Sequence, residues 1–265
     1  FYGEVVSHPD RVVPDGSGLE PQDYILVCVK NYSIDQIIES IMPAVGPDTV
    51  LVPVMNGVEA GDRMREAFPG NIVCDAVIYT TTGANEDFFI TQNGPYTYVF
   101  IGSKDRDEAS QAAAREIAGI LKDAGFDARF SENVLVSIWE KYILNCAYNT
   151  LTARYLANTS DIRARREMSE DIRALLHEAQ QIADLEGIGI AADMAEQKYR
   201  FIMENQSENA TSSMRRDVEA HRMTEIDAFT GALLRKAEKY GVELPVCRRY
   251  NEELSDIISS YMPEQ

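Results

Sequence analysis

Three polar residues lie four positions apart in one of the most apolar stretches of this chain. The stretch runs from Val134 to Leu151, and the three residues are Lys141, Asn145 and Asn149. At 3.6 residues per turn, a spacing of four drifts by only about 40° per step, so the three side chains share one stripe of the predicted helix. A buried amine or carboxamide without a partner costs about 1–3 kcal/mol or more. The stripe therefore predicts either a polar seam satisfied by a neighbouring element or one wall of an active-site cleft.

The cleft hypothesis gives the stripe a definite chemistry. Lys141 would act as a proton donor, and Asn145 and Asn149 would hold an anionic, hydroxylated substrate. The spacing by itself favours neither the seam nor the cleft, so the choice depends on other segments of the sequence.

A second polar segment follows about eighty residues further on. It reads SSMRRDV at 212–218 and TEIDAFTG at 224–231. Thr224 with Asp227 three residues later is typical of the capping pattern that opens a helix. That pattern places Glu225 in the first helical turn, where the helix dipole favours a carboxylate. Ser213 could likewise be the cap of the helix that follows it.

Two predicted strands nearer the N-terminus each end in polar residues. The segment DYILVCVK ends in Lys30, and VPVMNGV contains Asn56-Gly57 at its end. Ligands approach an open α/β sheet at the carboxyl ends of its strands, which makes Lys30 and Asn56 candidate ligand contacts. A solvent-facing strand end for Lys30 and an ordinary Asn-Gly turn for Asn56 are the alternatives.

These four motifs, in this order and spread over nearly the whole chain, resemble those of the ketopantoate reductases (2-dehydropantoate 2-reductases). That family has a W-x-K-x-x-x-N-x-x-x-N helix, matched here from Trp139 to Asn149, and an S-S-M-x-x-D … T-E-I-D segment. The resemblance implies hydride transfer from NADPH to the C2 ketone of ketopantoate, a branched 2-keto acid, which yields pantoate. It also implies a place in pantothenate and coenzyme A biosynthesis.

The resemblance further implies a role for each candidate residue. Lys141 would give the proton, and Glu225 would orient Lys141 or hydrogen-bond the substrate hydroxyl. The residues that would contact the substrate are Asn56, Asn145, Asn149 and Ser213. The residues that would contact the cofactor are Lys30, Asn56, Ala84 and Glu225.

The start of the chain departs from the family pattern. The family opens with a strand and a G-x-G-x-x-G turn that cradles the dinucleotide pyrophosphate at a helix N-terminus. Near the start of this chain the G-x-G is Gly16-Ser17-Gly18, and Pro21 stands where the third glycine belongs, which predicts a surface loop. The chain also starts on Phe1 rather than on methionine. We therefore expect one βαβ unit of roughly 30 residues or more to precede Phe1 in the full-length protein.

The composition of the chain limits which classes of partner and environment are expected. The chain has 265 residues, 45% of them hydrophobic, which suffices for a substantial core in one or two domains. No apolar run approaches the roughly 20 residues needed to span a bilayer, and no signal-peptide pattern is visible. The net charge of −18 argues against nucleic acid and anionic membranes as partners. Local cations must then attract an anionic substrate or NADPH, and Lys30 and Lys141 are the candidates.

The four cysteines are scattered without metal-ligand spacing. They are Cys28, Cys74, Cys146 and Cys247. Three of them fall in apolar strand or helix patterns, which predicts free, buried thiols in a reducing cytoplasm. Neither a disulfide framework nor a metal site is expected, and the histidines His8, His177 and His221 lack partners at ligand spacing.

The hydrophobic pattern changes near residue 131. Before it, predicted strands lie at 24–29, 50–54, 72–80 and 96–101, and predicted helices at 34–41, 61–68 and 109–124. The first two strands are continuous apolar runs, as expected of strands buried on both faces of a parallel sheet. The last two strands are joined only by the Gly83–Gly94 region, which favours an antiparallel pair.

After Ser131 the pattern is helical throughout. The predicted helices lie at 133–151, 163–187, 191–205, 224–240 and 247–261, with Gly187 and Gly241 as helix-ending residues. The fold class is therefore α/β, with a Rossmann-like, doubly wound domain over 1–131 that is incomplete at its N-terminus. An all-helical substrate-binding and catalytic domain would follow over 132–265. The site would lie in the cleft between the domains, where hinge closure is expected.

Two alternatives to a ketopantoate reductase stay open. A related NAD(P)-dependent reductase could act on another 2-keto acid. The second alternative is a non-catalytic, dinucleotide-responsive binding or dimerisation protein. Such a protein would have no need of a proton donor paired with Glu225. The preference between NADPH and NADH and the oligomeric state, with a homodimer as one possibility, are also left open.

Overall fold

Strands and helices alternate in the first half of the molecule. The computed structural model describes Val6 and residues 8–84, 89–92 and 97–262. The strands within these residues are β1 (Tyr24–Val27), β2 (Val50–Pro53), β3 (Asp75–Tyr79), β4 (Thr82–Ala84), β5 (Ile90–Gln92), β6 (Tyr98–Gly102) and β7 (Asp127–Phe130). The helices between them are α1 (Ile34–Ile41), α2 (Ala60–Ala67) and α3 (Glu108–Asp123). We refer to this portion, up to Phe130, as the α/β part.

The sheet is mixed rather than purely parallel. β1 and β2 pair in parallel, and a single parallel bridge from Leu51 to Val73 joins β2 to the segment that leads into β3. β3 and β6 are antiparallel, as predicted, with Tyr79 opposite Tyr98. β7, which was not predicted, pairs in parallel with β6 after the α3 crossover. Its four residues, two of them charged and exposed, are too short and too polar to stand out as a buried strand.

The first two strands differ in burial. All four residues of β2 are buried, as predicted, whereas β1 is only partly covered and Leu26 is 40% exposed. The expectation that both strands are buried on both faces is thus wrong for β1, because among the described strands it has a neighbour on one side only. The same edge position leaves Cys28 exposed, contrary to the prediction of a buried thiol, while Cys74, Cys146 and Cys247 are buried and free.

The Gly16-Ser17-Gly18 segment is a loop, as predicted. The Gly16 backbone N donates to Ser40 O at 2.8 Å, which ties the loop to the end of α1. Gly18 has a φ of 75°, a left-handed conformation that glycine adopts without a steric penalty.

The second half of the molecule, which we call the helical part, runs from Val134 onward. Its helices are α4 (Val134–Tyr155), α5 (Thr159–Ala164), α6 (Arg166–Leu185), α7 (Met194–Arg200), α8 (Ser213–Glu219), α9 (Ala232–Tyr240) and α10 (Pro245–Tyr261). π-helical turns follow α7 at Phe201–Asn205 and precede α9 at Asp227–Gly231. None of the described helices combines the length and the apolar character needed to cross a membrane.

The predicted helix at 163–187 differs from the structure at its start. The separate helix α5 precedes α6, because Asn158 and Asp161 form a capping box that starts α5 and Arg165 then adopts an extended conformation. The predicted ends at Gly187 and Gly241 are confirmed by positive φ values of 68° and 65°.

Helix α4 is the centre of the helical part. It has 22 residues, more than half of them buried, and it packs against α6, α8 and α10. The largest cluster of buried hydrophobic residues surrounds it and includes Trp139, Ile143, Leu151, Phe229 and Tyr250. A helix that is apolar on nearly all sides requires such surroundings. Lys141 therefore lies on a helix whose position is determined by packing on several sides.

Candidate active site

The candidate site forms where the carboxyl ends of β1 and β2 meet α4 of the helical part. Lys30 lies three residues beyond the end of β1, and Asn56 lies three residues beyond the end of β2. Because the two strands are parallel, their carboxyl ends point to the same edge of the sheet. Lys141 and Glu225 reach this edge from the helical part. Four of the predicted site residues are therefore brought together.

Glu225 is the most enclosed polar group of the site, with the residue only 4% exposed. Its Oε1 accepts from Asn31 N at 3.1 Å and from Asn31 Nδ2 at 2.9 Å. Its Oε2 accepts from Lys30 Nζ at 3.2 Å and from Asn56 Nδ2 at 3.4 Å. Four donors from the α/β part thus compensate the burial of one carboxylate from the helical part.

The predicted capping role of Thr224 is wrong. The helical segment opens at the π turn, whose N-cap is Ile226, so Glu225 precedes the helix. Thr224 Oγ1 accepts a long hydrogen bond from Ile226 N, at 3.4 Å, and Asp227 pairs with Arg235 instead of closing a capping box. The carboxylate of Glu225 is held by side chains from the opposite half of the molecule, which the local pattern could not indicate.

Lys141 has a different set of partners. Its Nζ donates to Ile78 O at 2.6 Å and to Asn56 Oδ1 at 3.0 Å, and it lies 5.6 Å from the centre of the Tyr79 ring. Burial of the amine lowers the pKa of Lys141 to about 8, and the more distant Glu225 only partly opposes this effect. Desolvation disfavours the charged form of an amine, which is the physical cause of the shift.

Glu225 does not form an ion pair with Lys141, contrary to the expected pairing. Its ion pair is with Lys30, and Asn56 stands between it and Lys141. Asn56 Oδ1 accepts from the ammonium of Lys141, while its Nδ2 donates to the carboxylate of Glu225. The two charges dictate this orientation of the carboxamide. Asn56 therefore connects the two charged residues without bringing them into contact.

Asp217 is a site residue that the sequence analysis did not single out. It is buried, and its Oδ2 accepts from Lys30 Nζ at 3.1 Å, while Arg222 bonds its other oxygen. Burial opposes the charged form of Lys30, but Glu225 and Asp217 outweigh this effect and raise the pKa of Lys30. Asp217 is the acidic residue of the SSMRRD motif, so a signal was present. Of the two predicted local cations, Lys30 is balanced by carboxylates and Lys141 is not.

The amide stripe of α4 divides into two environments. Asn145 lines a small cavity of about 10 Å³ together with Lys141 and Asn56, and its carboxamide has no hydrogen bond to any of the described residues. The apolar residues of this cavity are Met55, Val77, Ile138, Tyr142 and Phe229. Asn149 is buried outside the cavity, and its Nδ2 donates to Asn145 O of the same helix at 2.9 Å.

Ser213 is the first residue of α8 and is half-buried. The cap of α8 is Ser212, whose side chain accepts from Arg215 N and from Thr152 Oγ1, so the capping interpretation of Ser213 is wrong. Ala84 is the last residue of strand β4, and its side chain lies outside the described part of the structure.

A larger cleft of about 230 Å³ borders Glu225. Its lining residues are Asn31, Tyr32, Asp35, Gly57, Val58, Glu59, Arg63, Thr224, Glu225, Asp227 and Ala228. Arg235 of α9 pairs with both Glu59 and Asp227, so an ionic contact joins the two halves of the molecule at this cleft. Gly57 has a φ of 89°, which allows the sharp turn after Asn56.

Comparisons with known proteins identify the family of this chain. A family model described as ketopantoate reductase PanE/ApbA matches residues 3–106, and one described as ketopantoate reductase PanE/ApbA C terminal matches residues 133–257. The chain belongs to the ketopantoate reductase family. It is 26% identical to the 2-dehydropantoate 2-reductase of Streptococcus pyogenes serotype M3 over 233 residues, which are 87% of this chain and 74% of that protein.

Solved structures of other proteins have the same fold. The ternary structure of D-mandelate dehydrogenase with NADH and anilino(oxo)acetate has a TM-score of 0.82 at 23% identity, with 91% of this chain and 78% of that one covered. The dimeric ketopantoate reductase from Staphylococcus aureus has a TM-score of 0.79 at 20% identity, with 91% and 79% covered. The α/β class with a following helical part is thus confirmed.

The group at this site that is suited to general acid catalysis is the Lys141 amine. An amine with a pKa of about 8 is largely protonated at neutral pH and still releases its proton readily. Among the described residues, no group of three or more histidine, cysteine or acidic side chains is arranged to hold a metal ion. The lysine and its neighbouring amides are therefore the groups from which a function can be argued.

Proposed function

We propose that this protein reduces a 2-keto acid to the corresponding 2-hydroxy acid with a nicotinamide cofactor, and that ketopantoate and NADPH are the pair to test first. The observation that carries the proposal is Lys141. Its amine is desolvated, its pKa is lowered to about 8, and it lies at the carboxyl edge of the sheet beside Asn56. A structural lysine would gain more from a carboxylate partner than from the neutral oxygens that Lys141 contacts.

The proposed reaction adds a hydride to the ketone carbon and a proton to the ketone oxygen. The cofactor supplies the hydride when it is bound. As negative charge builds on the oxygen, the Lys141 ammonium stabilises it and transfers a proton, which leaves a neutral amine. A pKa near 8 lets the amine recover its proton from water at neutral pH. Each turnover therefore returns Lys141 to its starting state.

The residues at the carboxyl edge fit the nicotinamide end of the cofactor. Lys30, Asn56 and Glu225 are candidate contacts, and the cleft of about 230 Å³ beside Glu225 offers space next to them. Ala84 remains a candidate on the resemblance alone. The carboxyl edge of parallel strands is the usual place for nucleotides in open α/β sheets, which supports this assignment.

The substrate would contact Lys141, Asn56, Asn145, Asn149 and Ser213. Asn145, whose carboxamide has no hydrogen bond to the described residues, lines the same cavity as Lys141, and the apolar residues of that cavity suit a branched carbon tail. A cavity of about 10 Å³ holds no more than one water molecule, so it must enlarge to admit a keto acid. We infer that the helical domain, 132–265, moves relative to the α/β domain, 1–131, about a hinge.

The identity of the keto acid is the open part of the proposal. The Streptococcus pyogenes relative is a 2-dehydropantoate 2-reductase, which favours ketopantoate and a role in pantothenate biosynthesis. D-mandelate dehydrogenase, which shares the fold, favours the alternative of a bulkier 2-keto acid reduced with NADH. Residues that act on the keto-acid group are compatible with both substrates.

An oxidation assay of the cofactor tests the proposal. The full-length protein is mixed with NADPH or NADH and, in turn, ketopantoate, 2-ketoisovalerate, pyruvate and benzoylformate, and the loss of absorbance at the reduced nicotinamide band is followed. We expect ketopantoate with NADPH to give the highest kcat/KM. A higher value for benzoylformate would favour the second substrate class, and no turnover of any keto acid would contradict the reductase.

Two further features of the proposal concern the protein's state in the cell. A homodimer is supported by the dimeric Staphylococcus aureus enzyme of the same fold, and light scattering of the purified protein would measure the mass directly. A cytoplasmic location is supported by the free cysteines, since such thiols persist in a reducing compartment.

A further inference from the structure

Asn31 makes contacts that no catalytic assignment so far explains. It follows Lys30 directly and begins the short helical turn Asn31–Ser33 after β1. Its Nδ2 donates one proton to Asn56 O at 2.9 Å and the other to Glu225 Oε1 at 2.9 Å. Its backbone N donates to the same Glu225 oxygen at 3.1 Å. One residue thus joins the turn after β2 to the carboxylate of the helical part.

The direct contact between those two elements is weak. Asn56 Nδ2 lies 3.4 Å from Glu225 Oε2, near the outer limit of a hydrogen bond. The two Asn31 bonds of 2.9 Å are therefore the shorter link between Asn56 and Glu225. A small shift of either element would break the direct contact, whereas the Asn31 bridge would still hold both.

Both oxygens of Glu225 already accept hydrogen bonds, and the bridge supplies those to Oε1. Oε1 accepts two bonds from Asn31, and Oε2 accepts from Lys30 and weakly from Asn56. Lys141 is left with neutral acceptors, the Ile78 carbonyl and the Asn56 carboxamide. We propose that Asn31 is a positioning residue, which holds Glu225 against the turn after β2 and thereby keeps its carboxylate from pairing directly with Lys141. This inference rests on the proposed role of Lys141 as the acid.

The surrounding charges indicate what the bridge prevents. Glu225 contacts Lys30, which also contacts Asp217. Tyr79 lies beside Lys141, Tyr142 lines the same cavity as Lys141, and Glu140 precedes Lys141 on α4. Burial raises the pKa of Tyr79 and of Tyr142, so both stay neutral. A carboxylate moved into contact with an ammonium typically raises the pKa of the amine by about 1–3 units. A released Glu225 would thus make Lys141 a weaker acid than it is with a pKa of about 8.

Two substitutions of Asn31 test the proposal, each compared with a matched control. Asn31→Ala removes the amide bridge but keeps the backbone N–H. Asn31→Asp keeps the shape and replaces the donor by a carboxylate beside Glu225. The control is Asn71→Ala, because Asn71 Nδ2 also donates to two carbonyls, Gly46 O at 2.8 Å and Thr49 O at 2.9 Å, away from the site.

For Asn31→Ala we expect kcat for the reduction to fall about tenfold and the alkaline pKa of the pH profile to rise by about one unit. For Asn31→Asp we expect a larger loss at pH 8 than at pH 5.5, because a protonated Asp regains one donor. Asn71→Ala should lower the thermal midpoint without changing kcat or the profile. The pH profile distinguishes a positioning role of Asn31 from a purely structural one. If Asn31 were only structural, its substitution would leave the alkaline pKa of the activity profile unchanged.

A second measurement does not depend on turnover. Competitive labelling of amines across pH, read by mass spectrometry, gives the pKa of Lys141 in the free protein and in each variant. A raised Lys141 pKa in Asn31→Ala supports the proposal even if no keto acid proves to be a substrate. An unchanged Lys141 pKa, or an Asn31→Ala profile equal to that of Asn71→Ala, overturns it. If Asn31→Ala fails to fold, the isosteric Asn31→Asp gives the same decision, through the pH dependence of its activity and of its Lys141 labelling.

Discussion

The two ends of the polar stripe on α4 have the same spacing and opposite surroundings. At one end, Lys141 reaches across to the α/β part and contacts Ile78 O and Asn56 Oδ1. At the other end, Asn149 is buried within the helical part and donates to its own helix at Asn145 O. The first end fits the cleft hypothesis, and the second resembles the polar seam that was its alternative.

The difference comes from what each turn of the helix faces. The Lys141 turn meets the carboxyl edge of the sheet, where backbone carbonyls and the Asn56 turn are available as partners. The Asn149 turn lies where α4 packs against α8, and there Thr152 and Ser212 already bond to one another. A polar stripe on a buried helix therefore predicts that its side chains have hydrogen-bond partners. The element packed against each turn determines whether the side chain can take part in catalysis or only stabilises the fold.

The largest expected effect is on the Lys141 end. Lys141→Ala should lower kcat for keto-acid reduction by about 10²-fold or more, the usual scale of general acid catalysis, with the fold retained. Steady-state kinetics and circular dichroism measure both quantities. The control is Lys198→Ala on α7, another lysine whose pKa is lowered by burial but which lies outside the proposed site. Equal, small losses from the two substitutions would make Lys141 a structural lysine.

The pH dependence of the Lys141 end is the second prediction. The reaction needs the protonated amine, so kcat/KM for reduction should be level near neutral pH and fall above pH of about 8. The fall should approach tenfold per pH unit and should vanish in the residual activity of Lys141→Ala. A profile that stays level to pH 10 would show that another group is the acid.

The same titration predicts a stability effect with a definite sign. The folded-state pKa of Lys141, about 8, lies below the ordinary lysine value of 10.5, so the unfolded chain binds more protons between these values. The Lys141 contribution is therefore unfavourable below pH 8 and is relieved as the pH rises through this window. Lys141→Met should be more stable than the wild type at pH 7, and the difference should shrink towards pH 10 in urea titrations.

Asn145 is expected to show an intermediate effect. Its carboxamide lacks partners among the described residues and faces the cavity beside Lys141, so Asn145→Ala should raise KM for the keto acid about tenfold, for a lost bond of about 1–3 kcal/mol. The KM for the cofactor should change much less. A KM for the keto acid equal to that of the wild type would remove Asn145 from the substrate site.

Asn149 is expected to show the smallest kinetic effect. Asn149→Ala removes a donor that bonds within α4, so the thermal midpoint should fall and the keto-acid KM should rise less than in Asn145→Ala. Calorimetry and steady-state kinetics on the two variants make the comparison direct. A rise in KM as large as that of Asn145→Ala would mean that Asn149 contributes as much to substrate binding as Asn145 does.

The sequence by itself determined the elements and the residue types of the site. The apolar run around Trp139 required a buried helix, and the strand ends at Lys30 and Asn56 followed from hydrophobic runs that stop at polar residues. These are local properties, because periodicity and turn residues act over a few positions. The motifs carried the family resemblance for the same reason, since each is a short string of fixed spacing.

Only the tertiary structure decided which charges meet. The pattern around Thr224 indicated a helix cap, yet Glu225 bonds Lys30 and Asn31, which lie about 195 residues away in the sequence. Asp217 belonged to a recognised motif but its partner Lys30 could not be read from it, Asn31 carried no local signal, and the exposure of Cys28 depends on which strands flank β1. Buried charges are stabilised by groups that are close in the fold but distant in the sequence. The packing of the helical part on the sheet determines the distances between these groups. The low pKa of Lys141 is a result of that packing, because it requires both the burial of the amine and the diversion of Glu225 to another lysine.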